Sequence, residues 1–180
     1  MRNVILPVLA VLGACMLLPK EVSAQSTARI TLSGGITPGT CSVADINQPM
    51  PKVSADLLPS TRGVPESYTP FNVSLRNCAG VKNAKVQFGF AADADSVSND
   101  TFANKSATGP ANISIWLQAR PACGPTGDGN TILPSEVITM SVNNASTLDY
   151  PVCAQYWRST SDPIISGDVT TTFQLTITYE

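Results

Sequence analysis

Four cysteines follow the first apolar stretch of the chain: Cys41, Cys78, Cys123 and Cys153. A thiol can bind a metal, attack a substrate or form a cross-link. Zinc sites place cysteine and histidine ligands at short spacing. This chain has no histidine and no Cys-x-x-Cys pair. The missing histidine also removes the usual base of nucleophilic triads. Cross-linking remains, because an even cysteine count in an exported chain points to disulfides. Three pairings are possible. The sequential one, Cys41–Cys78 with Cys123–Cys153, closes two loops of similar length. Each bridge would stabilise the fold by about 3–4 kcal/mol, chiefly by restricting the unfolded chain.

Other candidate chemistry is thin. Asp93-Ala94-Asp95-Ser96-Val97-Ser98 begins like a calcium loop, but the sixth place lacks glycine and the twelfth is Asn104, not an acid. No glycine-rich phosphate loop is present. The net charge is -2 with no basic patch, which argues against nucleic acid as a partner. Charged residues make up only 13% of the chain, so electrostatic steering has little to work with. These features predict a protein that is not an enzyme and takes no cofactor.

Residues 1–24 read as a secretory signal peptide. Arg2 supplies the positive start, Val4 to Leu18 an apolar run broken by Pro7 and Gly13, and Val22-Ser23-Ala24 a small-residue exit. Leu12-Gly13-Ala14-Cys15 resembles a lipoprotein processing site, but Met16-Leu17-Leu18 carries the apolar core past that cysteine. Processing after Ala24 leaves Gln25–Glu180, enough for one domain with a core.

The elements that must position these cysteines are strands. Phe71, Val73 and Leu75 alternate with polar residues, as do Val86, Phe88 and Phe90. Ile113, Ile115 and Leu117 repeat the pattern, and so do Phe173, Leu175, Ile177 and Tyr179. Apolar residues at period two mark half-buried strands. Pro49-Met50-Pro51, Pro59, Gly63, Gly109-Pro110 and the glycines near Pro125 separate them. Several short strands in one domain predict an all-β sandwich. Trp116 and Trp157 read as packing residues.

The two ends are the most informative. Ala28, Ile30, Leu32, Gly34 and Ile36 share one face of an extended segment that leads into Cys41. Phe173–Tyr179 is a strand that stops one residue before Glu180. Such a sandwich is either complete or lacks a closing strand.

Taken together, these motifs resemble the subunits of type 1 and P pili assembled by the chaperone–usher route. The resemblance rests on four features. They are the alternating arm with Gly34 seven residues before Cys41; Cys41 with Cys78 closing the Phe71–Cys78 strand; the strand Val86–Phe90; and Gly167, fourteenth from the end, with the penultimate Tyr179. It implies an incomplete immunoglobulin-like sandwich of six strands that lacks its last strand. Residues 25–37 would be an N-terminal donor-strand extension and residues 38–180 the pilin domain. Ala28, Ile30, Leu32, Gly34 and Ile36 would fill a neighbour's groove. Gly167, Phe173, Leu175, Ile177 and Tyr179 would form the chaperone and acceptor-groove edge. The implied partners are identical or related subunits, a periplasmic chaperone and an outer-membrane usher, with a host receptor as a further class. The implied location is a fimbria on a Gram-negative cell, reached through the periplasm. A minor tip subunit or adhesin is the alternative. The Cys123–Cys153 bridge departs from the commonest pattern, and the arm, Gln25–Thr40, is short.

Overall fold

The structure is a computed structural model that describes residues 29, 31–37, 39–58, 67–120 and 130–180. Residues 1–24, expected to be a signal peptide, lie outside the described residues, as do Ala28, Ile30 and Cys123. The chain divides into two units, Met1–Gly35 and Ile36–Glu180. In the first, the described residues carry no helix or strand, and Leu32 and Gly34 are exposed.

The second unit is all-β. Its described strands are β1 (Ser42–Val43), β2 (Thr69–Arg76), β3 (Asn83–Phe88), β4 (Ile113–Ala119), β5 (Asn130–Ile132), β6 (Val137–Ser141), β7 (Thr147–Arg158) and β8 (Leu175–Tyr179). They form two antiparallel sheets, ordered β1-β2-β7-β4-β5 and β6-β3-β8. There are more strands than the six expected, in part because the short β1 and β5 form ladders of their own.

Alternation explains how the sheets face each other. On β2, Val73 and Leu75 are buried while Asn72 is exposed. On β3, Ala84, Val86 and Phe88 are buried between half-exposed Asn83, Lys85 and Gln87. Leu117, Ile132, Met140 and Val152 complete the layer between the sheets. Each fully buried side chain of this size contributes about 1.5–3 kcal/mol. β3 ends before the position expected for it, because Gly89 takes a φ of 61° and turns the chain.

β4 differs from a half-buried strand. Ser114 and Gln118 are buried on the face opposite Ile115 and Leu117, and Gln155 of β7 is buried beside them. Hydrogen bonds make this possible. Ser114 Oγ lies 2.8 Å from Thr101 Oγ1, and Gln155 Nε2 donates to Gln118 Oε1 at 3.1 Å. Trp116 and Trp157 meet edge to face on the same side, with ring centroids 5.1 Å apart.

Candidate strand-receiving groove

β8 is an edge strand, paired only with β3 among the described strands. In an antiparallel ladder each residue turns both main-chain polar groups to one side, and successive residues alternate sides. Glu180 exchanges both hydrogen bonds with Asn83, at 2.9 and 3.0 Å, and the Gln174 carbonyl accepts from the Gly89 N–H at 2.9 Å. Even-numbered residues therefore serve β3. Leu175, Ile177 and Tyr179 turn their N–H and C=O groups the other way, toward an edge where no described strand pairs.

The same three residues point their side chains inward. Leu175, Ile177 and Tyr179 are half-buried against the core, while Thr176 and Thr178 are exposed. Upstream the rhythm continues, with Val169, Thr171 and Phe173 half-buried and Thr170, Thr172 and Gln174 exposed.

Beside this edge lies a groove of about 920 Å³. Residues 169–175 form one wall and residues 43–50 the other. Its floor is core surface from both sheets: Val73, Phe88, Ile115, Leu117, Ala154 and Tyr156. Among the described residues, the interior of the sandwich is open along this seam.

Two links hold the wall that begins at Cys41. A disulfide joins Cys41 to Cys78 just beyond β2. The Tyr179 hydroxyl donates to the Cys41 carbonyl at 2.9 Å, tying the end of β8 to the same point. Cys153 is fully buried and also disulfide-bonded.

Of the residues expected at the edge, Phe173 and Leu175 line the groove, and Ile177 and Tyr179 continue the inward row beyond it. Phe173 stacks on Phe102 with centroids 4.4 Å apart. Gly167 is not among the groove's lining residues. It packs against Thr108 and Gly109, where a Cβ would collide with the Thr108 carbonyl oxygen. On the arm, Leu32, Gly34 and Ile36 are exposed. Sequence reasoning missed the opposite wall, because residues 43–50 carry no sustained alternation. The acids of Asp93–Ser98 turn out to be local caps. Asp95 accepts from the Val97 and Ser98 amides and from Ser159, while Asp93 accepts from the Phe90 amide and pairs with Lys105.

A family model described as fimbrial protein matches residues 30–180. The chain belongs to the fimbrial protein family. It is a structural subunit and not an enzyme. Solved structures share the fold of this fimbrial subunit. One is a chaperone–usher pilus studied for rod uncoiling, at TM-score 0.59 and 13% identity, covering 87% of this chain and 97% of that one. Another is the P pilus rod subunit PapA, at TM-score 0.57 and 16% identity, covering 78% and 99%. The CupB6 tip adhesin from Pseudomonas aeruginosa matches at TM-score 0.50 and 18% identity, covering 64% of this chain and 31% of that one. No curated protein sequence matches the chain. The immunoglobulin-like sandwich expected of a pilus subunit is thus the fold of this fimbrial protein, and such subunits belong to the surface fimbriae of Gram-negative bacteria.

Proposed function

We propose that this fimbrial subunit polymerises by donor-strand exchange, receiving the arm of a neighbouring copy or related subunit along β8. The observation that carries this reading is the free edge of Leu175, Ile177 and Tyr179 beside the open groove. An unpaired edge with core side chains at its seam is an aggregation hazard that proteins cover. Strand addition covers it, because main-chain hydrogen bonds give affinity and alternate side chains fill pockets. The arm has matching chemistry. Ile30, Leu32 and Ile36 fall at period two with Ala28 and Gly34, and each large side chain contributes about 1.5–3 kcal/mol when buried.

Before assembly, a periplasmic chaperone covers the same edge and delivers the subunit to an outer-membrane usher, after export directed by residues 1–24. A role as a building block of the filament, ahead of a tip adhesin, is supported by the period-two apolar arm, which gives the subunit a strand to donate. The Cys123–Cys153 bridge belongs to this reading too, with Cys153 as its buried end.

The test is complementation of chaperone-free subunit by a synthetic peptide of residues 25–40. The peptide is expected to bind and raise the unfolding temperature, and the same peptide with Leu32→Asp to do neither. A subunit that is monomeric, resistant to unfolding and indifferent to both peptides would refute strand addition.

A further inference from the structure

β3 stops at Phe88, so the inner edge of β8 has a sheet partner only back to Gln174. The inward–outward rhythm nevertheless runs back to Val169. A strand without a partner does not hold itself extended. The loop at residues 104–109 supplies the missing partner. The Lys105 N–H donates to the Thr170 carbonyl at 2.7 Å. The Thr170 N–H donates to Asn104 Oδ1 at 3.0 Å, and Asn104 Nδ2 reaches the Asp168 carbonyl at 3.5 Å. Lys105 Nζ donates to the Thr172 carbonyl at 2.6 Å while pairing with Asp93.

These are all groups of even-numbered residues, the parity that β3 serves farther along. The Asn104 side chain thus behaves as a peptide unit of a neighbouring strand, offering one acceptor and one donor. It is itself fixed, since Oδ1 accepts from the Ser106 N–H at 3.0 Å and Nδ2 donates to the Pro110 carbonyl at 3.1 Å. Two glycines allow the close approach. A Cβ on Gly109 would strike the Asp168 carbonyl, and one on Gly167 would strike the Thr108 carbonyl.

With their even neighbours held on one side, Val169, Thr171 and Phe173 turn their main-chain groups to the open edge, and all three line the groove. The Thr171 hydroxyl there is buried with no hydrogen-bond partner. A segment fixed on one side with an unpartnered polar atom on the other is arranged to be paired.

We infer that Asn104 and Lys105 are positioning residues for strand addition. They act as a substitute strand that extends the receiving edge from Leu175 back to Val169. They do not touch the incoming strand. The inference rests on the strand-addition reading.

The test is amide hydrogen exchange on the full chain complemented with the peptide of residues 25–40. In the unmodified subunit, peptide is expected to protect the amides of residues 169, 171 and 173 together with those of 175, 177 and 179. Asn104→Ala removes two side-chain hydrogen bonds to the main chain of residues 168 and 170, and Lys105→Ala removes the one to Thr172 together with the pair to Asp93. In each, protection of the upstream three falls by about tenfold or more and the downstream three keep theirs. Lys105→Arg, which retains a donor for Thr172 and a charge for Asp93, restores the upstream protection. Upstream protection that survives in both alanine variants overturns the inference. So does a loss spread evenly over all six amides, which marks a merely structural role. No protection at any of the six in the unmodified subunit overturns strand addition, and this inference with it.

Discussion

The Cys41–Cys78 disulfide joins residues 37 apart in sequence. The wall at residues 43–50 is otherwise held by the β1 pairs Ser42↔Arg76 and Val43↔Leu75, by Met50 against the core and by the Tyr156 hydroxyl on the Pro51 carbonyl. Replacing both cysteines with alanine releases that loop in the unfolded chain. For a loop of this length the closure entropy is about 13 cal/mol/K, or about 3.8 kcal/mol at 25 °C. A domain of this size has about 5–15 kcal/mol in total, so the loss is a large share without abolishing the fold. The Tyr179 hydroxyl on the Cys41 carbonyl adds about 0.5–1.5 kcal/mol, and that hydrogen bond depends on the bridge keeping Cys41 in place. Urea unfolding of the peptide-complemented subunit, followed by Trp116 and Trp157 fluorescence, is expected to show a loss of about 4 kcal/mol for Cys41→Ala/Cys78→Ala. Tyr179→Phe alone costs about 1 kcal/mol, and the triple variant loses less than the sum, as coupled neighbours do. A loss under about 1 kcal/mol for the double variant would refute the loop-closure reasoning. Strict additivity of the triple would refute the link between Tyr179 and the bridge.

Two further outcomes follow from the segment upstream of β8. Burial of Asp93 works to raise its pKa, but hydrogen bonds from Lys105 and the Phe90 amide, with the Lys105 charge, outweigh it and hold the carboxyl below its ordinary 3.8. A group whose pKa is lowered by folding stabilises the fold above the unfolded value and loses that contribution as pH falls through the folded one. Unmodified subunit is therefore more stable than Asp93→Asn near neutrality, and the gap closes as a pH series of unfolding curves passes below 3.8. Gly167→Ala forces a Cβ into the Thr108 carbonyl and is expected to cost about 1–3 kcal/mol. Gly34→Ala, at a position with open space around it, leaves the melting temperature unchanged; equal melting curves for the two variants would show that the loop at Thr108 yields.

The strands were legible where one face alone is buried. Val73 and Leu75, or Val86 and Phe88, carry their burial in their period. Val137–Ser141 was missed because Val137 faces outward, exposed, which blurs the alternation of Ile138 and Met140. The second buried face of β4 was not readable, since Ser114 and Gln118 look like solvent-facing residues until a partner such as Thr101 or Gln155 covers them. The groove was half legible. The C-terminal edge shows in the Phe173–Tyr179 repeat, but the role of Asn104 depends on Thr170, 66 residues away, and no local pattern encodes that contact. The cysteines fixed the chemistry without fixing the pairing, which came from the fold that brings Cys41 to Cys78.

The odd-numbered residues of β8 each carry two duties. Their side chains fill the core, and their main-chain groups face the free edge. Their even-numbered neighbours carry neither, since Thr176 and Thr178 contribute only backbone to β3 and show their side chains to solvent. Sequence can therefore drift on this strand in alternate positions. Replacements at Thr176 or Thr178 recolour the surface of the subunit while leaving both its packing and its joint intact. Any change at Leu175, Ile177 or Tyr179 alters the two together, so the part of the surface free to vary is interleaved, residue by residue, with the part that is not.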